Sequence, residues 1–173
     1  LRDELPSDVR LVDAPMSGAP HAARAASLSF MVGGVDDVVS ELMPLFEAMG
    51  RHVFRLGPLG SGMVAKLMNN YVACTTVVAV RRAYARAQAL GTDLASLRDV
   101  MRASSGATWF GDNFEDIDWS HEGYAPDNTV GILEKDAKSS LDALGHLAVP
   151  GIDAFDEALV QALRELEPFA WQR

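Results

Sequence analysis

The chain has very little cysteine. Its single thiol, Cys74, cannot form a disulfide within the chain and lies in an apolar stretch, where packing is its expected role. The four histidines have neither paired spacing nor a cysteine partner, so no metal site is predicted. These features fit a reducing compartment, and we predict a cytoplasmic location.

Positive charge is also scarce. Lys and Arg together number 15 against 24 for Asp and Glu, a formal net charge of −9. This balance argues against binding to nucleic acid or to anionic membranes, and an anionic substrate would need a local basic pocket. The most continuous apolar run, residues 72–80, is too short to span a bilayer, and residues 2–4 are charged where a signal peptide would be apolar. We therefore expect neither nucleic acid nor a membrane as a partner.

Strand-like sequence is confined to the first third of the chain. Short runs of β-branched or aromatic residues at 9–14, 27–34 and 51–57 are bounded by Gly, Pro or Asp. Helical apolar spacing over residues 35–50 predicts a strand, helix, strand unit. Three strands are few for an α/β layer, so we expect further strands upstream.

Beyond residue 57 the pattern favours helices only. They are predicted at about residues 60–90, 93–103, 129–147 and 152–166. Asp93 is a plausible N-cap for the second of them. The sequence therefore predicts a small sheet-bearing part, residues 1–57, followed by a helical part, residues 58–173.

The longest predicted helix carries three polar side chains among apolar ones. In GPLGSGMVAKLMNNYVACTTVVAV, residues 57–80, helical steps place Lys66, Asn69 and Asn70 on one narrow stripe. Burying an ammonium or an amide without partners costs several kcal/mol, so the stripe should face protein partners or a wet, polar cavity. The alternative is that Lys66 extends its stem to the surface, as most lysines do.

Three stretches, taken in order and spacing, point to a known family. They are DAPMSGAPHAARAASL, GPLGSGMVAKLMNN and KDAKSSLDAL, beginning at residues 13, 57 and 135. Together they resemble the β-hydroxyacid dehydrogenases, which include 3-hydroxyisobutyrate dehydrogenase and 6-phosphogluconate dehydrogenase. The family motif G-x-x-G-x-G-x-x-x-K-x-x-x-N is matched at every fixed position by Gly57, Gly60, Gly62, Lys66 and Asn70.

The resemblance covers nearly the whole of this chain, but it corresponds only to the C-terminal part of the family's proteins. It implies an α/β remnant plus an all-α region. Residues 1–57 would be the last strands of a Rossmann-type dinucleotide-binding sheet. Residues 58–173 would form a mostly helical 6-phosphogluconate-dehydrogenase-like domain, built on one long helix and used for substrate binding and dimerisation. A homodimer or homotetramer is implied as well.

The resemblance also implies roles on the substrate side. Lys66 matches the general acid and base that exchanges a proton with the substrate hydroxyl. Asn70 matches the residue that holds substrate beside it, and Ser17 with Gly18 matches the loop that grips the substrate carboxylate. Asn69 is placed with the substrate-binding residues, although it could instead cap a neighbouring carbonyl.

On the cofactor side, Lys135 and Asp136 match residues near the nicotinamide. The implied reaction is hydride transfer between NAD or NADP and a small 2- or 3-hydroxy acid. The alternative for Lys135 is a solvated helix lysine beside acidic neighbours. Asp13 is interpreted as a turn-forming residue rather than a catalyst.

The chain departs from the family at several glycines. Where the family writes S-G-G-x-x-G-A-x-x-G, the sequence has alanine at Ala19, Ala22 and Ala26. Each exchange adds a methyl group and disfavours positive φ, so the carboxylate loop is expected to be narrower or reshaped. Asn128 stands near where many members carry an aromatic residue, which would alter cofactor packing.

Three interpretations therefore remain open. In the first, the chain is part of an NAD(P)-dependent oxidoreductase and is inactive alone, because the turn that holds the pyrophosphate lies in the missing half. In the second, it is a noncatalytic binding or oligomerisation module derived from such an enzyme. In the third, it is a purely structural helical domain in which Lys66 is exposed.

Overall fold

The chain divides into two compact units, Leu1–Asn69 and Asn70–Arg173. The computed structural model describes residues 4–146 and 153–171. The division falls within the longest helix, α3 (Ser61–Ala89), which begins in the first unit and continues into the second. The domain boundary after residue 57 stays a prediction.

The first unit contains a three-stranded sheet. Its strands are β1 (Met16–Ser17), β2 (Leu28–Gly33) and β3 (Gly50–Gly57), in the spatial order β1-β2-β3. β2 pairs with β1 antiparallel and with β3 parallel. The parallel pair is joined by helix α2 (Asp36–Met49), as a parallel connection requires a crossover. The strand, helix, strand prediction is thereby confirmed.

The core of the first unit lies between α2 and the sheet. Alternate residues of β2 are fully buried, among them Phe30 and Val32, and the helix contributes Val39 and Phe46. The rings of Phe30 and Phe46 lie 5.2 Å apart between centroids. The apolar residues that recur every second position in the strand therefore pack against those that recur every 3.6 positions in the helix.

The predicted strand at 9–14 is wrong, because the pairing lies further along the chain. Asp13 forms an isolated antiparallel bridge with Gly33, and pairing resumes at Met16. Residues before Asp13 would need partners beyond Gly33, where the chain turns away toward α2. Pro15 lies between the bridge and β1 and has no N–H to donate.

Helix α1 (Ala19–Arg24) was not predicted, and it occupies the segment where the glycines of the family are replaced. Alanine is the best helix former and glycine one of the worst, which favours a helical turn here. The segment ends at Ala26, whose φ of 49° is in the left-handed region. That conformation costs alanine about 1 kcal/mol or more, a strain that glycine would not carry.

Within residues 58–146 and 153–171 the remaining elements are helical. They are α4 (Leu94–Arg102), α5 (Trp109–Asp112), a 3-10 turn (Phe114–Asp116), α6 (Thr129–His146) and α7 (Ala154–Arg164). The fold class is confirmed: a small sheet precedes a mostly helical region. The predicted helix limits at residues 147 and 152 lie outside the described residues. Asp93 caps α4 as predicted, its carboxylate accepting a 2.8 Å hydrogen bond from Ser96 N.

The core of the second unit is aromatic at its centre. Phe114 is fully buried and makes edge-on contacts with Tyr84 and Phe110, at centroid distances of 5.1 and 5.4 Å. Trp171 packs on the same ring at 5.5 Å. Cys74 is buried in this cluster, and its thiol donates to the Leu133 carbonyl, so its packing role is confirmed.

Arg81 is a buried cation in the second unit, only 4% exposed. Its guanidinium donates to the carbonyl oxygens of Ser120 at 2.5 Å, Glu122 at 2.9 Å and Glu167 at 2.5 Å. The group also lies 5.6 Å from the ring centroid of Phe169. Burial lowers the pKa of Arg81 from its usual range. This one side chain joins α3 to the 120–122 loop and to the segment after α7.

Helix α3 is long and apolar enough, by length and composition alone, to cross a membrane. The helix extends well beyond residues 72–80, the apolar run judged from the sequence to be too short to span a bilayer. The core helix of a soluble protein passes the same test, so this is weak support for a span. The expected absence of a membrane partner stays a prediction.

A partly buried polar contact in the second unit links α3 to α7. The Tyr71 hydroxyl donates a 2.6 Å hydrogen bond to Asp156 Oδ1, which sits in the first turn of α7. Asp156 also completes a capping box with Asp153. The hydrogen bond to the carboxylate, together with partial burial, raises the pKa of Tyr71 to about 12.

From the Tyr71–Asp156 hydrogen bond we expect the free energy of unfolding to fall at high pH. The unfolded chain releases the Tyr71 proton near pH 10, whereas the folded chain keeps it until about pH 12. The stabilisation is therefore complete below pH 10 and is lost as the pH rises toward 12. Urea unfolding between pH 8 and 12, followed by tryptophan fluorescence, should show a steeper loss for the parent than for Tyr71→Phe. Tyr124→Phe is the control and should follow the parent; equal slopes for the parent and Tyr71→Phe would contradict the assignment.

Candidate active site

The start of α3 is held by a carboxylate from another part of the first unit. Gly60 precedes the helix with φ of 96°, a conformation that favours glycine, so the residue before the helix has no side chain with which to cap it. Asp13 takes that role. Its Oδ1 accepts from Gly60 N at 2.6 Å and its Oδ2 accepts from Met63 N at 2.7 Å. The sequence interpretation of Asp13 as a turn-former missed this function.

Two glycines make room for the Asp13 carboxylate. A Cβ on Gly33 would lie 2.4 Å from Asp13 Oδ1, and a Cβ on Gly62 would lie 2.8 Å from Oδ2 and 2.2 Å from the Met31 carbonyl oxygen. The first turn of α3 therefore lies directly against the end of β2. Gly62 of the family motif has a packing reason for being glycine.

Lys66 and Asn69 follow on the same helix. Lys66 is partly buried, and it lies one turn beyond Met63, whose amide Asp13 holds. Asn69 is exposed. A partly buried ammonium keeps its apolar stem in contact with protein while its charged end reaches a polar region.

Ser17 is the last residue of β1 in the first unit, and Gly18 follows it. Ser17 is partly buried, and Gly18 has φ of 136°. A Cβ on Gly18 would lie 2.6 Å from the Ala22 Cβ and 3.2 Å from Leu28 Cδ2. Gly18 is thus required both by its backbone and by the lack of space. The buried Ala22 occupies room that glycine would leave open, which supports the expectation of a narrower loop.

In the second unit Asn70, Lys135 and Asp136 form one polar cluster. Asn70 Nδ2 donates to Asp136 Oδ2 at 3.1 Å, and Lys135 Nζ lies 3.5 Å from Asp136 Oδ1. The Asp136 side chain is 31% exposed and that of Lys135 is 70% exposed. Asp136 therefore fixes the orientation of the Asn70 amide. The exposed Lys135 is compatible both with the cofactor role and with a solvated helix lysine.

Asn128 acts as the N-cap of α6. Its Oδ1 accepts from Gly131 N at 3.0 Å, and its Nδ2 donates to the Gly123 carbonyl at 2.8 Å. Asparagine is among the preferred capping residues, which gives a structural reason for its presence where many family members carry an aromatic residue.

A cleft of about 380 Å³ opens in the first unit at the carboxyl ends of β2 and β3. In open α/β sheets this edge is where ligands bind. The cleft is lined by Gly34, Val35, Asp36, Gly57, Pro58 and Leu59. Among the described residues, no group of three or more His, Cys, Asp and Glu side chains is placed to hold a metal ion.

Two known families match the chain, one in each part of the sequence. Residues 60–167 match the family described as "NAD-binding of NADP-dependent 3-hydroxyisobutyrate dehydrogenase", and residues 6–57 match the "NAD binding domain of 6-phosphogluconate dehydrogenase". The chain belongs to the β-hydroxyacid dehydrogenase family. Both descriptions support NAD or NADP as the cofactor of this family of oxidoreductases.

Individual relatives cover the chain to different extents. It is 42% identical over 99 residues to an NAD-dependent L-serine dehydrogenase of Pseudomonas aeruginosa, covering 57% of this chain and 33% of that protein. It is 30% identical over 182 residues to the mitochondrial 3-hydroxyisobutyrate dehydrogenase of Mus musculus, covering 91% of this chain and 54% of that protein. The chain thus spans between a third and about half of these relatives.

The fold is similar to that of a 3-hydroxyisobutyrate dehydrogenase of Mycobacterium tuberculosis, solved with L-serine. The TM-score is 0.73 at 24% identity, with 90% of this chain and 57% of that chain covered. This likeness supports the fold assignment of a sheet remnant followed by a helical region.

Proposed function

We propose that this chain is the substrate-binding part of an NAD(P)-dependent dehydrogenase of small hydroxy acids. The main support is the complete G-x-x-G-x-G-x-x-x-K-x-x-x-N motif, which runs from the end of β3 into helix α3, whose first turn is fixed to the sheet. NAD or NADP, when bound, accepts or supplies the hydride. The chain's own residues orient the acid and move the proton of its hydroxyl.

Lys66 is the group we assign to proton transfer. It is partly buried, so its surroundings can exclude water from the reacting atoms more effectively than at a solvated lysine. In oxidation of the acid it takes the hydroxyl proton as the hydride leaves, and in reduction it returns that proton. The Lys66 amine offsets the negative charge that develops on the hydroxyl oxygen during hydride transfer, so this mechanism requires no metal ion.

Asn70, Ser17 and Gly18 are proposed to bind the acid. The amide of Asn70 is held by Asp136, which leaves its oxygen to accept from the substrate hydroxyl. Ser17 supplies a hydroxyl, and the backbone at Gly18 can approach a carboxylate closely because it has no side chain. Asn69 is exposed and is proposed to contact the acid as well.

Lys135 and Asp136 are proposed as the cofactor-side residues. Their ion pair places a cation and an anion at neighbouring, solvent-accessible positions on α6. A nicotinamide ribose offers hydroxyl groups that can bond to both. Asp136 would then serve two purposes, since it also orients Asn70.

The acid is proposed to be small. The methyl group of Ala22 is buried and lies against the position where a Cβ on Gly18 would fall, so it takes up space in this segment. L-serine and 3-hydroxyisobutyrate are the acids named for the relatives, and both are short carboxylates with one hydroxyl. They are the first substrates to test.

A second copy of the chain is a proposed partner. Helix α3 leaves large apolar side chains exposed along its length, among them Met63, Val64 and Val72 at 47, 49 and 58%. Such surface is normally covered in solution. A homodimer or homotetramer would cover it, and closed symmetric assemblies are the commonest solution.

The proposal is tested by calorimetric titration of L-serine, 3-hydroxyisobutyrate and their hydroxyl-free analogues, with and without NAD(H) and NADP(H). The chain and the longest natural polypeptide that contains it are titrated side by side. We expect binding of at least one hydroxy acid, and at least tenfold weaker binding of its analogue, since an unpaired buried polar group is costly. Failure of every acid to bind either protein would instead favour the noncatalytic module.

A further inference from the structure

Asp13 connects the sheet to the start of α3 in the first unit. Asp13 is fixed to the sheet through its backbone, because its N–H donates to the Gly33 carbonyl and its carbonyl accepts from Gly33 N–H, both at 2.9 Å. Its side chain then reaches the amides of Gly60 and Met63, 47 and 50 residues further along the chain. A single residue therefore connects the end of β2 to the first turn of the helix.

We infer that Asp13 is a positioning residue for Lys66, and the inference rests on the proposed function. A helix start leaves several amide N–H groups without partners, and Asp13 satisfies two of them. Its negative charge also lies at the positive end of the helix dipole, where a carboxylate is stabilising. The first turn cannot rotate or fray without breaking these bonds.

The position of Lys66 follows from that restraint. Lys66 lies three residues after Met63, one helical turn beyond the amide that Asp13 Oδ2 accepts from. Gly62, between Gly60 and Met63, is pressed against the Met31 carbonyl with no space for a Cβ. The side chain of Lys66 therefore leaves the helix from a turn whose height and rotation relative to the sheet are fixed by Asp13 and Gly62.

The test uses the amine itself rather than turnover. The chain has three lysines, Lys66, Lys135 and Lys138, so the modification of each by an amine reagent can be followed by mass spectrometry of its peptide. The variants are Asp13→Ala and the milder Asp13→Asn, which keeps one acceptor and loses the charge. Asp93→Ala is the matched control, because it removes the carboxylate that caps α4.

We expect Asp13→Ala to raise amide exchange in the first turn of α3 about fivefold or more, as loss of an N-cap does. The rate of Lys66 modification relative to Lys138 should rise by about threefold or more, with a smaller rise in Asp13→Asn. Asp93→Ala should lower stability while leaving the Lys66 to Lys138 ratio unchanged.

An unchanged Lys66 to Lys138 ratio in both Asp13 variants would overturn the inference and leave Asp13 as a structural cap only. If Asp13→Ala does not fold, Asp13→Asn decides the matter by the same ratio. A failure of this inference can be distinguished from a failure of the proposed function, because acid binding and Lys66 modification are measured separately. The chain could bind no hydroxy acid and still show a Lys66 that Asp13 positions, or bind acids with an amine that Asp13 does not affect.

Discussion

Lys66→Ala is expected to lower kcat for hydroxy-acid oxidation by about 10²- to 10⁴-fold, the range that a general acid and base contributes. The measurement is cofactor reduction by the longest natural polypeptide that contains this sequence, with the acid identified by titration. KM should change much less than kcat, because the lost interaction belongs to the transition state. Lys66→Arg should fail to restore activity, since a guanidinium does not release its proton in this pH range.

The matched control for this prediction is Lys138→Ala. Lys138 is an exposed lysine of α6 that pairs with Asp142 at 3.3 Å, so it shares the charge but not the setting of Lys66. Its removal should leave kcat within about twofold of the parent, as expected for a surface substitution. A Lys66→Ala enzyme that keeps kcat within tenfold of the parent would exclude Lys66 as the acid and base.

Part of the fold could be predicted because it depends on local pattern. Helix α2 and strands β2 and β3 follow from apolar spacing and from the glycines at their ends. Helix α4 follows from the cap at Asp93. Each of these signals is contained within a few residues, so no knowledge of the rest of the chain is needed.

The first strand could not be placed in the same way. Its apolar run at 9–14 has a strand-like composition, but the limit of its pairing is set by where β2 ends at Gly33. Register is a property of two segments, and the second lies about twenty residues away in the sequence. Helix α1 was missed because the family pattern suggested an open glycine loop.

In the candidate site, too, the residues with a local sequence signal could be predicted and those that depend on distant partners could not. Lys66 and Asn70 stand out because polar residues in an apolar helix are rare, and the family motif gives them roles. Asp13 does not stand out, because its partners, the amides of Gly60 and Met63, have no side-chain signature. A usable signal was present, since a glycine before a helix has no side chain with which to cap it and leaves room for a capping group from elsewhere.

Arg81 is the site of the second large expected effect, this time on stability. Arg81→Met keeps much of the side-chain volume but removes the donors for the carbonyls of Ser120, Glu122 and Glu167. The bond to Ser120 is buried and the other two are partly buried. Leaving a buried acceptor without a partner costs about 1–3 kcal/mol, so we expect a loss of about 2 kcal/mol or more in the free energy of unfolding of the second unit.

The neighbouring arginine provides the control for that experiment. Arg82 is exposed and lies 3.6 Å from Glu165, an ion pair of the kind that contributes at most about 1 kcal/mol. Urea unfolding can be followed through Trp109, Trp119 and Trp171, all in the second unit. A similar small loss for Arg81→Met and Arg82→Met would mean that water replaces the guanidinium at the three carbonyls. A large loss confined to Arg81→Met would show that this buried cation, which joins α3 to two separate loops, holds the second unit together.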